Sequence, residues 1–355
     1  MKHEQVLEPI VQKLEPYTPG EQPNRQPIIK LNTNENPWGP SPRALEAIVA
    51  ASNDTLRLYP DPTASDFRKG IAASLNLTSD HIFAGNGSDE VLAHAFHAFF
   101  SGKEAVLFPE ITYAFYPTYC KLYSIEHRLI ALEDNFHINP DDFRGPCGGI
   151  VIANPNAPTG LTMPLDDIEA ILKANPDVVV LVDEAYVDFG GESAVQLVPY
   201  YDNLLIVQTF SKSRSLAGVR VGFAVGQPHL IEGLHKVKDS FNSYPLGRLS
   251  LAAGLAAWED TEWFEKTRDL IIADRETLSA KLRALDFAVL PSSANFIFVS
   301  HASIPAEQLH AELRKRGILV RHFKAGQIDN WLRISIGTTQ ECEALVKALE
   351  AMIAR

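Results

Sequence analysis

Cysteine is scarce in this chain. The three that occur among 355 residues, Cys120, Cys147 and Cys342, lie far apart. That scatter excludes a disulfide framework and a C-x-x-C metal pair, and a reducing, cytoplasmic compartment is expected. Basic charge is in deficit: 32 Lys and Arg against 44 Asp and Glu leave a net charge of −12. Such a balance disfavours nucleic acid and anionic membrane as partners. No apolar run approaches the ~18 residues of a membrane helix. The opening MKHEQVLEPIVQKLEPYTPG lacks the apolar stretch of a signal peptide, so none is expected. There is no internal repeat, no low-complexity tract and no G-x-x-x-x-G-K-S/T phosphate loop. Without that loop the usual nucleoside-triphosphate cradle is missing.

What is present falls into three regions. Residues 1–15 carry apolar side chains at Val6, Leu7, Ile10, Val11 and Leu14, a helical spacing that Pro16 ends. Residues 16–42 hold seven prolines and read as an extended arm. From 43 to about 250, helical segments alternate with short runs: HIFAG (81–85), AVLFP (105–109), GIVIANP (149–155), VVVLVDEAY (178–186), LLIVQTF (204–210) and VGFAVG (221–226). These runs are apolar on both faces, as strands are in a mostly parallel sheet covered by helices on both sides. From 251 to 355 a long helical stretch (about 246–285) precedes NFIFVS, GILVRHF and WLRISIG, interleaved with helices. This suggests a smaller α+β domain, with the N-terminal segment packing against it.

Ligands of such sheets sit beyond the carboxyl ends of the strands. GNGSDE (85–90) precedes an apolar helix and reads either as a phosphate seat or as a capping turn with Ser88 or Asp89 as N-cap. Asp183 and Glu184 end the most apolar run. A buried carboxylate needs a partner. For Asp183 that partner is a Mg²⁺ beside a nucleotide, an arginine, or a cationic group of a ligand; the missing phosphate loop weighs against the first, ATPase-like reading. Lys212 closes the LLIVQTF run among Thr209, Ser211 and Ser213. A partly desolvated lysine there suits Schiff-base chemistry, and Thr209, Ser211 and Arg220 suit a phosphate. An aldehyde, a phosphate and a cationic ring nitrogen together describe pyridoxal 5′-phosphate (PLP). His94 and His97 read as the edge of a core rather than as metal ligands, and no metal is expected.

The ordered set NENPxGPSP (34–42), YPDP (59–62), GNGSDE (85–90), PxxTYxxY (109–116), NPNAPTG (154–160), DEAY (183–186), TFSK (209–212), AGVRVG (217–222) and LRISIG (332–337) resembles the fold-type I PLP-dependent aminotransferases over nearly the whole chain. Within them it is most similar to the histidinol-phosphate aminotransferase group. An aromatic amino-acid aminotransferase or a threonine-phosphate decarboxylase of the same fold would use the same core residues. The resemblance implies a mostly parallel seven-stranded sheet flanked by helices, a smaller α+β domain, and a homodimer with shared active sites. It also implies a small-molecule amino donor and a 2-oxo acid as partners. Lys212 would form the Schiff base, Asp183 would pair with the ring nitrogen, and Tyr186 would bond the ring oxygen. Tyr113 would stack on the ring, or else be a core aromatic. Ser88, Asp89, Thr209, Ser211 and Arg220 would hold the phosphate, with Tyr59 from the partner subunit. Arg333 and Arg321 would bind the substrate's anionic groups, and Tyr17 with Asn34–Asn36 would cover it; Arg321 and Tyr17 read equally well as surface residues. The family pattern has Asn where this chain has Ala157, so that either Asn156 takes its place at the ring oxygen or Tyr186 serves that oxygen alone.

Overall fold

The computed structural model describes residues 8–16, 18, 20–22 and 28–354. Tyr17 and the apolar positions Val6 and Leu7 lie outside them. Seven strands form the main sheet, in the order Ile82–Gly85, Gly222–Gly226, Leu204–Thr209, Val180–Asp183, Gly149–Ala153, Val106–Pro109 and His127–Ile130. All run parallel except Gly222–Gly226, which is antiparallel to both neighbours. Alternate residues feed two separate cores, as a period of two requires. Ile150, Ile152, Val180 and Val182 join one, with helices Ser65–Ser74, Leu165–Ala174 and Arg248–Glu259. Val151, Leu181, Leu205 and Val207 join the other, with helices Gly87–Ala95, Tyr116–Tyr123 and Pro228–Phe241.

The seventh strand, His127–Ile130, does not stand out in the sequence as an apolar run. It is an edge strand with three exposed residues, so nothing demands a continuous hydrophobic stretch there. The helical stretch expected at 246–285 is two helices, Arg248–Glu259 and Thr261–Arg283. Asp260 divides them: its carboxylate caps the second helix at Trp263 N and accepts from Ser41 Oγ. Packing partners change here rather than near residue 250, because Leu246, Ala253 and Ala257 still belong to the core of the main sheet.

Beyond Asp260, helices Thr261–Arg283, Ala306–Lys315 and Thr339–Ile353 pack on an antiparallel sheet ordered Arg321–His322, Leu332–Ser335, Phe296–His301, Phe287–Val289. The run 317–323 is split between two sheets. Ile318–Leu319 pairs in parallel with Ile29–Lys30, and Arg321–His322 pairs with the strand Leu332–Ser335. Leu31 is thereby drawn into the C-terminal core. The described N-terminal helix, Pro9–Lys13, buries no residue, and Glu15 beyond it pairs with Lys121 of the other unit. No helix among the described residues is long and apolar enough to cross a membrane.

Arg275 ties the segment after the Val180–Asp183 strand, whose Phe189 enters the C-terminal core, to the loop before Phe296. It is 6% exposed and donates through Nη1 to Phe189 O at 2.7 Å and Ala294 O at 3.0 Å. Removing the guanidinium leaves two buried carbonyls without that donor. Arg275→Met should therefore cost about 2–4 kcal/mol in urea unfolding, whereas exposed Lys236→Met should cost less than about 0.5 kcal/mol.

Candidate active site

The carboxyl ends of the central strands open on a cavity of about 580 Å³. Lys212, Tyr113, Tyr186, Asn34, Arg321 and Arg333 all line it. Asp183 lies beside these residues in the interior, 6% exposed. Its Oδ2 accepts from Tyr116 OH at 2.8 Å, and its Oδ1 from Ala185 N at 3.2 Å. Burial raises its carboxyl from the usual 3.8 to about 6, against the pull of these two bonds. Neighbouring Glu184 is raised to about 7, also by burial. It is a structural group: Ser193 Oγ, Ala194 N and Gln208 Nε2 each donate to it at 2.7 Å.

Lys212 follows the Leu204–Thr209 strand. Its Nζ donates to Thr33 O at 3.3 Å and lies 5.8 Å from the centre of the Tyr186 ring. Tyr113 OH donates to Asp89 Oδ1 at 3.0 Å, which places the ring on the cavity wall. Ser213 and Arg214, to which the sequence assigns no task, hold the turn after Lys212. Ser213 Oγ donates to Asp188, and Arg214 lies between the Trp258 and Phe264 rings.

A second feature is a cleared corner at the start of helix Gly87–Ala95. The strand ends Gly85, Gly222 and Thr209 lie in one row across the sheet. A Cβ on Gly87, whose φ is +79°, would fall 2.4 Å from Arg220 Nη2, and one on Gly222 would fall 2.4 Å from Ser88 N. Only glycine therefore lets the guanidinium and the first-turn N–H groups crowd together. Arg220 itself has φ 59° and pairs with Asp89 Oδ2 at 3.4 Å. Buried Thr209 and Ser211 bond one another, Thr209 Oγ1 to Ser211 Oγ at 3.0 Å. A guanidinium, two hydroxyls and a helix N-terminus in one corner make an anion seat.

On the cavity wall, Arg321 and Arg333 are direct partners across adjacent antiparallel strands. Like charges in that position repel, so two guanidinium groups facing a cavity favour an anionic occupant. Both stand over the Phe323 ring, at 5.7 and 5.5 Å.

Two expectations are corrected. Asn156 does not reach the cavity. Its amide donates to Ile111 O at 2.9 Å and Thr159 Oγ1 at 3.2 Å, and accepts from Thr112 Oγ1 at 2.9 Å. That amide is consumed in shaping the loop, while Ala157 presents a methyl beside Tyr186. Asn36 does not cover a substrate either. It donates to Lys212 O at 3.0 Å and so fixes the lysine's backbone. Tyr59 is 79% exposed and stacked on Tyr244, away from this chain's own cavity. Tyr116, Thr33 and the Asn34–Tyr186 contact were not foreseen; PxxTYxxY contains Tyr116 but gives no sign that it meets Asp183. Among the described residues no three His, Cys, Asp or Glu side chains gather as a metal site, and buried His94 is pushed down to about 4.

The family model for aminotransferase class I and II matches residues 26–349. A histidinol-phosphate aminotransferase of Acetobacter pasteurianus is 56% identical over 97% of each chain. Histidinol-phosphate aminotransferase 1 of Bordetella parapertussis is 57% identical over 96% of this chain and 97% of its own. Among solved structures, histidinol-phosphate aminotransferase from Sinorhizobium meliloti, in complex with pyridoxal-5′-phosphate, aligns with a TM-score of 0.89 at 24% identity, covering 98% of this chain and 97% of its own.

The raised carboxyl of Asp183 has a measurable consequence in the cofactor-free protein. Its folded value lies above the unfolded one, so its stabilising share is complete below about pH 4 and is lost as pH rises through 6. Two units correspond to about 3 kcal/mol. Asp183→Asn should remove that share of the loss in urea unfolding between pH 4 and 8, leaving the part due to Glu184. A variant curve parallel to that of the parent contradicts this.

Proposed function

The chain belongs to the class I and II aminotransferases, and from that premise we propose that it moves the amino group of L-histidinol phosphate to 2-oxoglutarate, using PLP. The products are imidazole acetol phosphate and L-glutamate, which makes this a step of histidine biosynthesis. The observation that carries the reading is one cavity with Lys212 and the paired Arg321 and Arg333 on its wall and buried Asp183 beside it.

The residues present fit that cofactor. Asp183 is a buried carboxylate whose two bonds do not offset its desolvation, and a protonated ring nitrogen supplies the missing cation. In the corner cleared by Gly87 and Gly222, Arg220, Thr209, Ser211 and the backbone N–H groups of Ser88 and Asp89 would hold the cofactor's phosphate. Tyr113, Tyr186 and Lys212, which share the cavity wall, would hold the cofactor at its ring face, its ring oxygen and its aldehyde group respectively. When bound, PLP supplies an electron sink that renders the substrate's Cα proton acidic. Lys212 Nζ, in its neutral form, takes that proton as general base. Asn36 and Thr33 keep the lysine aimed at the cavity. Arg321 and Arg333 bind the donor's phosphate and, in turn, the carboxylate of the 2-oxo acid, so both partners are oriented by the same guanidinium pair.

The protein acts as a homodimer in the cytoplasm, with Tyr59 reaching the partner's cofactor phosphate. In support, Tyr59 and Tyr244 present an exposed stacked pair of rings, centroids 4.6 Å apart. Tyr59 is 79% exposed and Tyr244 42% exposed.

Lys212→Ala should lose at least about 10³-fold in turnover, as expected when a nucleophile and general base are removed together. Borohydride treatment of the PLP-loaded parent should fix a pyridoxyl mass on Lys212, and none should appear in the variant. Mixing inactive Lys212→Ala with Tyr59→Ala subunits should restore part of the activity, because one site of each hybrid dimer is intact. Among histidinol phosphate, phenylalanine, tyrosine and threonine phosphate, the first should convert the cofactor fastest. Preference for phenylalanine or threonine phosphate would reassign the substrate.

A further inference from the structure

The arm residue Asn34 is 1% exposed and adopts φ 56°, a conformation asparagine tolerates better than most residues. Every polar atom it has is bonded. Its backbone N donates to Ser335 Oγ at 2.8 Å, and its carbonyl accepts from Asn295 Nδ2 at 2.9 Å. Ser335 Oγ donates in turn to Asn34 Oδ1 at 2.8 Å. A serine hydroxyl has one proton. Ser335 Oγ accepts from the Asn34 N–H and gives that one proton to Oδ1. The amide is thus oriented by its surroundings, and its Nδ2 faces Tyr186 OH at 3.0 Å.

We propose that Asn34 is a positioning residue for the reaction assigned above: by donating to the Tyr186 hydroxyl oxygen, it directs that hydroxyl's own proton into the cavity. The inference rests on the proposed function, because the proton's target is the cofactor's ring oxygen. With its oxygen accepting from Nδ2, Tyr186 has its O–H left to donate. Position 157, on the same wall, offers only a methyl. The Tyr186 hydroxyl is therefore the donor this wall provides, and Asn34 decides where it points. The same arm holds Lys212 at both ends, Nζ at Thr33 O and the backbone carbonyl at Asn36. It is a built-in part of the site rather than a cover over it.

A hydrogen bond to the ring oxygen favours its anionic form, so losing that bond raises the pH at which the bound cofactor's absorbance titrates. Ionisable groups near Tyr186 are Lys212, Tyr113 and, across the Phe296 ring, Arg333. None of these is altered in the variants. Asn34→Asp keeps the shape and the Ser335 bond but cannot donate, so Tyr186 turns its proton to the new carboxylate. Asn34→Gly keeps the backbone conformation and removes the donor. Both should raise the absorbance midpoint of the PLP-loaded protein, Asn34→Asp by about one pH unit or more. In a Tyr186→Phe background, Asn34→Gly should add nothing. An undiminished Asn34→Gly shift in that background, or an Asn34→Asp midpoint equal to the parent's, overturns the assignment while the parent still titrates. A parent that shows no titrating cofactor band overturns the function itself, and this inference with it.

Discussion

A carboxylate at the end of a fully buried strand is the constraint on which the site depends. Asp183 sits where a sheet covered on both faces meets its ligand cavity, and desolvation pushes its carboxyl up to about 6. Tyr116 and Ala185 lower that cost without cancelling it. A cation held above the sheet would cancel it, and a cation of fixed position needs a rigid frame. The frame is visible on every side: a phosphate corner that only glycine keeps open, an aromatic wall at Tyr113, and a lysine tied at both ends. The cavity wall also carries two guanidinium groups in register, Arg321 and Arg333. That wall is therefore cationic at Lys212, Arg321 and Arg333, with the carboxylate of Asp183 buried close by.

The arm joins parts of the molecule that lie far apart in sequence. Residues 29–31 complete a small sheet and the C-terminal core, while residues 33–36 contact Tyr186, Lys212, Asn295 and Ser335. These bonds connect Ser335 and Asn295, beside the C-terminal core, with Lys212 at the end of a main-sheet strand. Arg333, two residues from Ser335, is thus linked through the arm to Tyr186 and Lys212.

Much of this was legible in the chain where a charge terminates an apolar run. Asp183 and Lys212 stand out because a buried ionisable group at the end of an apolar run needs a partner, and the row of strand ends follows from the runs themselves. The edge strand His127–Ile130 was not legible, since an exposed edge has no need of apolar residues. The split of residues 317–323 was hidden as well, for pairing partners in two sheets decide it rather than local pattern. Side-chain amides were read least well. Asn34, Asn36 and Asn156 have the same chemistry, yet one meets Tyr186, one the Lys212 carbonyl, and one its own loop. Which atoms an amide meets depends on how loops close, and sequence spacing carries no record of that. Tyr116 escaped for a similar reason, being 67 residues from the carboxylate it serves.

The central claim, that the fold is arranged to keep a cationic ring nitrogen on Asp183, can be observed at that atom. Nitrogen-15 NMR of the protein loaded with ring-labelled pyridoxal 5′-phosphate reports the nitrogen's protonation directly. The account predicts a protonated nitrogen in the parent up to at least about pH 8, and a deprotonated one in Asp183→Asn at the same pH, as expected for a cation that loses its buried counter-charge. A nitrogen that is unprotonated in the parent, or equally protonated in both, would contradict it.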